Sequence, residues 1–118
     1  MHILLALTLA LFALFSATPI PAMPEPTAEA SYKWGTARTE KGDLDGALTD
    51  YDEAIRLDPD SIDAYHNRGI AHMNQGAYEA AMADFQKYLD LGGGKKHNNQ
   101  AMIARVIQEL QKRLDSQR

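Results

Sequence analysis

Residues 28–61 read AEASYKWGTARTEKGDLDGALTDYDEAIRLDPDS, and residues 62–94 that follow read IDAYHNRGIAHMNQGAYEAAMADFQKYLDLGGG. Laid over one another at an offset of thirty-four, Ala30, Gly35, Ala37, Gly42, Ala47, Asp50 and Leu57 recur as Ala64, Gly69, Ala71, Gly76, Ala81, Asp84 and Leu91. Size and polarity persist where identity does not: Tyr51 becomes Phe85, Leu48 becomes Met82 and Ile55 becomes Leu89. A fixed period of this length with helical spacing inside it predicts stacked helical hairpins. One such unit cannot bury its apolar face alone, so the pattern implies a scaffold that presents a surface.

Within each unit the spacing predicts two helices. Ala30, Trp34, Ala37 and Lys41 form a stripe on the first, and Leu44, Ala47, Leu48, Tyr51, Ala54 and Ile55 form a broader apolar face on the second. Gly42-Asp43 and Gly76-Ala77 punctuate the hairpins, because glycine readily takes the left-handed conformation that ends a helix. Asp60 or Ser61 is placed to cap the second unit's first helix. The triple glycine Gly92–Gly94 predicts a loose exit from the second unit. Beyond Lys95 and Lys96, Asn98 or Asn99 is placed to cap a last helix. Its apolar face is Met102, Ile103, Val106, Ile107, Leu110 and Leu114, suited to closing the end of a stack.

On these residues the chain resembles the tetratricopeptide repeat family over Ala28 to about Gly94. The resemblance assigns Gly35 and Gly69 to the small position where paired helices touch, and Ala47 and Ala81 to the second small position. Tyr51 and Phe85 match the aromatic that fills the gap between hairpins, and Pro59 matches the closing proline. Tyr88 departs from the pattern, standing where the family prefers a small residue. The implied fold is all-α: two antiparallel helix-turn-helix hairpins, 28–61 and 62–94, stacked as a short right-handed solenoid, with a capping helix within 95–118.

What the resemblance implies for function is non-catalytic protein–protein interaction, with a peptide or helix held in the concave groove. The groove positions are Glu29, Tyr32, Lys33, Thr36 and Glu40 in the first unit, and Asp63, His66, Asn67, Ile70, Met73 and Asn74 in the second. Tyr32, Ile70 and Met73 add apolar surface to an otherwise polar face, a mixture suited to peptides. Alternatively, Ile70 and Met73 pack against the C-terminal helix. One subfamily grips a peptide's terminal carboxylate with Lys, Asn and Arg. Here Tyr32 and Thr36 occupy two of those places and only Asn67 matches, so that specificity is not expected. With two units and one helix, self-association or end-on docking against a larger complex is expected, since such stacks usually need three units or more. A small-ligand binder or accessory subunit of an envelope enzyme is the competing reading.

The N-terminus carries a separate signal. From Ile3 to Phe15 only Thr8 interrupts an apolar run, and no charged side chain of the Asp, Glu, Lys or Arg type appears before Glu25. The run is shorter than the ~20 residues a membrane-spanning helix needs, and fits a signal peptide over residues 1–22, with a cut after Ala22. If uncleaved, it would serve as a short membrane anchor. Residues 23–27 belong to a stretch holding Pro19, Pro21, Pro24 and Pro26, an extended spacer. An exported protein, periplasmic or secreted, is therefore expected, touching a membrane only through an uncleaved N-terminus.

Composition closes several chemistries. There is no cysteine, so disulfides, thiolate metal sites and lipidation at an N-terminal thiol are excluded. The net charge of −4 lacks the basic surface a nucleic-acid partner requires. Lys41–Asp52 faintly resembles a calcium loop through Asp43, Asp45, Gly46 and Asp52, but Lys41 puts a cation in the first ligand position. His66 and His72 lie six residues apart and point to different faces of one helix, and the four serines lack a catalytic motif. No cofactor, metal or catalytic set is expected.

Overall fold

The fold was described from a computed structural model, in which residues 24–118 are described; the predicted signal segment and its cleavage point lie outside them. Six helices follow in order: α1 Ala28–Glu40, α2 Leu44–Leu57, α3 Ile62–Asn74, α4 Tyr78–Asp90, a single turn α5 Gly93–Lys96, and α6 Gln100–Ser116. There is no strand among the described residues. The helices pair as α1/α2 and α3/α4 hairpins, α3 stacks on α2, and α6 lies against α4.

Small residues set the helix spacing within each hairpin. A Cβ built on Gly35 would stand 2.6 Å from Cε1 of Tyr51, and one on Gly69 would stand 2.9 Å from Cε1 of Phe85. No real Cβ tolerates such approach, so the aromatic ring of each second helix lies directly on the glycine of the first. Ala47 and Ala81 are fully buried, and so is Ala71, which carries the second unit onto the Tyr51 cluster of the first. Tyr51 therefore covers its own glycine and also reaches the next hairpin. Both hairpin turns use glycine at positive φ, Gly42 at 79° and Gly76 at 77°. The residue after each sends its amide back to a helix carbonyl, Asp43 to Arg38 and Ala77 to His72, both at 2.9 Å.

Five expectations need correction. The stripe Ala30, Trp34, Ala37 and Lys41 is not the buried side of α1. Ser31 and Gly35 are buried, while Trp34 is 53% exposed. Helix α1 buries a second stripe because its neighbours among the described residues lie on one side. The Gly92–Gly94 exit is tight rather than loose. Gly93 is pressed between the Tyr88 ring and Ile62, and a Cβ on Gly94 would come 2.9 Å from Cα of Gln100 at the start of α6. Here the missing small residue at position 88 is recovered five residues later: Tyr88 is buried, and its single hydroxyl proton is shared between Gly93 O (2.9 Å) and Asn99 Oδ1 (2.8 Å). Asn99 holds the N-cap position of α6, but its side chain serves Tyr88 instead of a helix amide. Ser61 likewise occupies the N-cap of α3 without making a side-chain cap.

The C-terminal helix closes the far end. Ile103 and Leu110 are buried with Phe85, Tyr88 and Tyr65, and Val106 and Ile107 pack beside them. Met102, expected on this face, is 55% exposed because it lies at the edge of the contact.

Candidate functional site

Helices α1 and α3 lie side by side and offer one continuous row of side chains. Asn67 on α3 is its centre. Its Nδ2 donates to Tyr32 Oη at 3.1 Å and approaches Thr36 Oγ1 at 3.5 Å, joining the two hairpins across the groove. His66 Nδ1 lies 3.3 Å from Asn67 Oδ1. The Tyr32 ring is tilted against Tyr51 at 6.2 Å between centroids, so the groove wall rests on the core aromatic. Thr36, Thr39, Glu40, Tyr51, Asn67 and Ile70 line an open depression of about 120 Å³. Ile70, half-buried, gives it an apolar floor.

A second depression continues from Tyr32 and Asn67 towards the C-terminal side, where Asp63, His66, Tyr88, His97 and Asn99 line about 280 Å³. His97 stacks on Tyr88 with planes 8° apart, and its Nε2 lies 3.2 Å from Asp63 Oδ1. His66 approaches Tyr88 at 5.1 Å and Phe85 at 6.1 Å. The groove thus ends in a wall of rings and polar edges: imidazoles, a phenol and amides. Such surfaces satisfy the backbone of an extended peptide while covering its apolar side chains.

The structure distributes the sequence-predicted positions unevenly. Tyr32, Thr36, Asp63, His66, Asn67 and Ile70 come together, with Glu40 at the rim. Glu29 and Lys33 pair with each other at 2.8 Å along α1 and are largely exposed. Lys33's hydrogen bond holds the Glu29 carboxyl below its ordinary range. Met73 and Asn74 belong elsewhere. They line a separate depression of about 490 Å³ with Tyr78, Val106, Glu109, Leu110 and Arg113, where Met73 joins the core beneath α6. Ile70 also packs against that core, so the groove and the C-terminal cluster share this side chain. Tyr88, His97 and Asn99 were missed. His97 and Asn99 are placed in the groove by the glycine turn after α4, which no periodicity announces, while Tyr88 lies on α4 itself, at the position where its size departs from the repeat pattern.

The acidic residues of the faint calcium motif have other occupations. Asp43 caps α2 by accepting from Gly46 N at 3.0 Å, Asp45 accepts from Gln75 Nε2 at 2.6 Å, and Asp52 pairs with Arg68 at 2.9 Å. Arg68 also grips the buried Asp84 with two bonds, Nε to Oδ2 at 2.9 Å and Nη2 to Oδ1 at 2.8 Å. The hydrogen bonds from Arg68 to Asp84 raise the guanidinium's pKa above its ordinary value. In the first unit the counterpart is looser: Arg38 Nε lies 3.0 Å from Asp50 Oδ2 as an ion pair, but off the line a hydrogen bond needs. These groups hold helices together. Among the described residues no cluster of His, Asp and Glu is arranged to hold a metal.

Comparison with known proteins agrees with this architecture. Residues 35–76 match the model of the TPR repeat, and residues 62–93 match that of the tetratricopeptide repeat. Protein FlbA of Caulobacter vibrioides is 36% identical over 81 residues, which is 66% of this chain and 14% of that protein. Tetratricopeptide repeat protein 36 of Homo sapiens is 35% identical over 86 residues, 71% of this chain and 46% of that protein. The chain thus spans less than half the length of either relative. Among solved structures, MamA superposes with a TM-score of 0.57 at 17% identity, over 77% of this chain and 60% of that one, a likeness of fold. Repeats of this kind are generally non-catalytic scaffolds that bind other proteins. The matched repeats, the glycine–aromatic contacts and the stacked hairpins together make this chain a member of the tetratricopeptide repeat family.

Proposed function

We propose that this protein is an adaptor or assembly factor of an exported or envelope compartment, and that it holds a peptide or helix of a partner protein in the groove between α1 and α3. The observation carrying this reading is the Tyr32–Thr36–Asn67 constellation beside half-buried Ile70. It combines hydrogen-bonding edges with an apolar floor in an open trough. Closed cavities suit small ligands; open troughs of mixed polarity suit peptides. The apolar run Ile3–Phe15 supports export, with residues 1–22 removed or retained as an anchor. Among the described residues no helix is long and apolar enough to cross a membrane. The two units among the described residues, fewer than such arrays usually need, support self-association or end-on docking to a larger complex.

Site-specific photocrosslinking tests the groove. A benzophenone side chain at position 36 is expected to crosslink one partner segment, while the same group at Lys87, exposed on α4, is expected to give none. Asn67→Ala is expected to weaken that partner's binding about tenfold, the loss of a hydrogen-bonded anchor. Crosslinks confined to position 87, with binding indifferent to Asn67, would move the site to the other face. The mass of the mature protein decides whether residues 1–22 are lost.

A further inference from the structure

The two units are related by a shift of thirty-four residues, so the interface between them is a template for what each end of the stack can accept. Helix α3 packs on α2 through Ala64, Arg68, Ala71 and Gln75. Ala64 and Ala71 are fully buried, Arg68 meets Asp52, and Gln75 meets Asp45. Shifting back by thirty-four gives Ala30, Trp34 and Ala37 on α1 and Lys41 at its C-cap, a stripe that the other described helices leave uncovered. Trp34, the sole tryptophan, is 53% exposed, and Ala37 is exposed where Ala71 is buried. Trp34, Ala37, Arg38 and Lys41 line an open depression of about 440 Å³ on this end of the stack.

We propose that this N-terminal face docks an amphipathic helix of a partner protein, antiparallel to α1, with an acidic residue in its first turn. The inference deepens the end-on docking reading above and rests on it. Antiparallel packing follows because α2 runs against α3, placing Asp45, near the start of α2, on Gln75 near the end of α3. Lys41 replaces Gln75 in the template, so the residue corresponding to Asp45 meets a full positive charge. Trp34 replaces Arg68, so the residue corresponding to Asp52 meets an indole, and an aliphatic side chain suits it. Charge argues against a second copy stacked head to tail. The outward side of α6, which closes the other end, carries exposed Arg105 and Lys112, of the same sign as Lys41, with Glu109 and Asp115 a turn away, while Arg38 is already paired with Asp50 and Asp43.

A lactam-stapled peptide of residues 43–58 carrying Asp52→Leu is the probe, titrated into the full chain while Trp34 emission is followed. The expected result is a saturable blue shift, weakened about tenfold or more by Lys41→Glu and restored when the peptide carries Asp45→Lys. Lys41 is exposed, and matching circular dichroism of the variant confirms its fold. Emission that stays still, or a shift indifferent to Lys41→Glu, overturns the proposal. A shift produced by raising the protein concentration alone overturns it in favour of a second copy. Asn67→Ala is expected to leave this titration unchanged. If it abolishes the shift, the peptide sits in the groove and the end-face proposal fails, while the groove reading stands.

Discussion

Gly35 and Gly69 lie beneath Tyr51 and Phe85, and this contact, repeated once per hairpin, sets how near the helices approach. Replacing either with alanine adds a methyl group within a ring's van der Waals surface. Overpacking of this kind costs about 1–3 kcal/mol, partly offset by alanine's better helix propensity of about 1 kcal/mol. Urea titration is expected to show a net loss at both positions, larger at Gly35, where the approach is closer. Ser31 makes the opposite case. Its side chain is buried and its Oγ has no hydrogen-bond partner. Ser31→Ala removes an unsatisfied polar atom and is expected to be neutral or to stabilise by about 1 kcal/mol in the same titration. Arg68 is the residue whose loss should matter most. Its removal leaves Asp84, 4% exposed, without its bidentate partner, and breaking such a pair costs about 3–5 kcal/mol. Because the Arg68 pKa is raised, its ion pairs persist below the guanidinium's ordinary range and are lost only as pH climbs beyond it. Alkaline titration short of that range is therefore expected to leave this cluster intact.

At the scale of elements, legibility in the sequence follows from how local the cause is. The four long repeat helices depend on residues three and four apart, and on glycines at the turns, so periodicity reveals them. Helix α6 was legible for the same reason: Ile103, Val106, Ile107 and Leu110 are spaced to face one neighbour. The junction between α4 and α6 was not. Gly92–Gly94 looks like a flexible run, yet its tightness comes from a non-local exchange in which Tyr88 fills the space and Gly93 yields it. The groove was half legible. Tyr32, Thr36 and Asn67 lie at repeat-defined positions, but His97 and Asn99 reach it only through that junction. The outward direction of Trp34 was hidden too, since a stripe of helical spacing does not say which of two neighbours is missing. Tyr88→Phe tests the junction: it deprives Gly93 O and Asn99 Oδ1 of a donor, and a loss of about 1–2 kcal/mol is expected in thermal unfolding.

For the molecule as a whole, the two ends of the stack are unequal, and this asymmetry should appear in its fluctuations. In a linear array each unit is stabilised by itself and by the neighbours it touches. The second hairpin touches α2 on one side and α6 on the other, and its core joins Tyr65, Phe85, Tyr88, Ile103 and Leu110 in one cluster. Among the described elements the first hairpin has its main contact outside itself with α3, and its cluster is smaller: Ala47, Tyr51 and Ala71, with Tyr32, Leu44 and Leu48 at the edge. Its half-buried acid, Asp50, is also held less firmly, by an ion pair without a hydrogen bond where Asp84 of the second unit has two hydrogen bonds. Local opening reports such differences, because amides exchange through the cheapest unfolding that exposes them. Hydrogen exchange is accordingly expected to protect α3, α4 and the middle of α6 most strongly, with α1 exchanging first. Leu110→Ala, at a cost of about 2–5 kcal/mol, is expected to raise exchange in α4 and α6 until the order reverses. Uniform protection across both hairpins would mean that the uncovered α1 face costs the array nothing. The repeat would then be stabilised within each hairpin instead of between them.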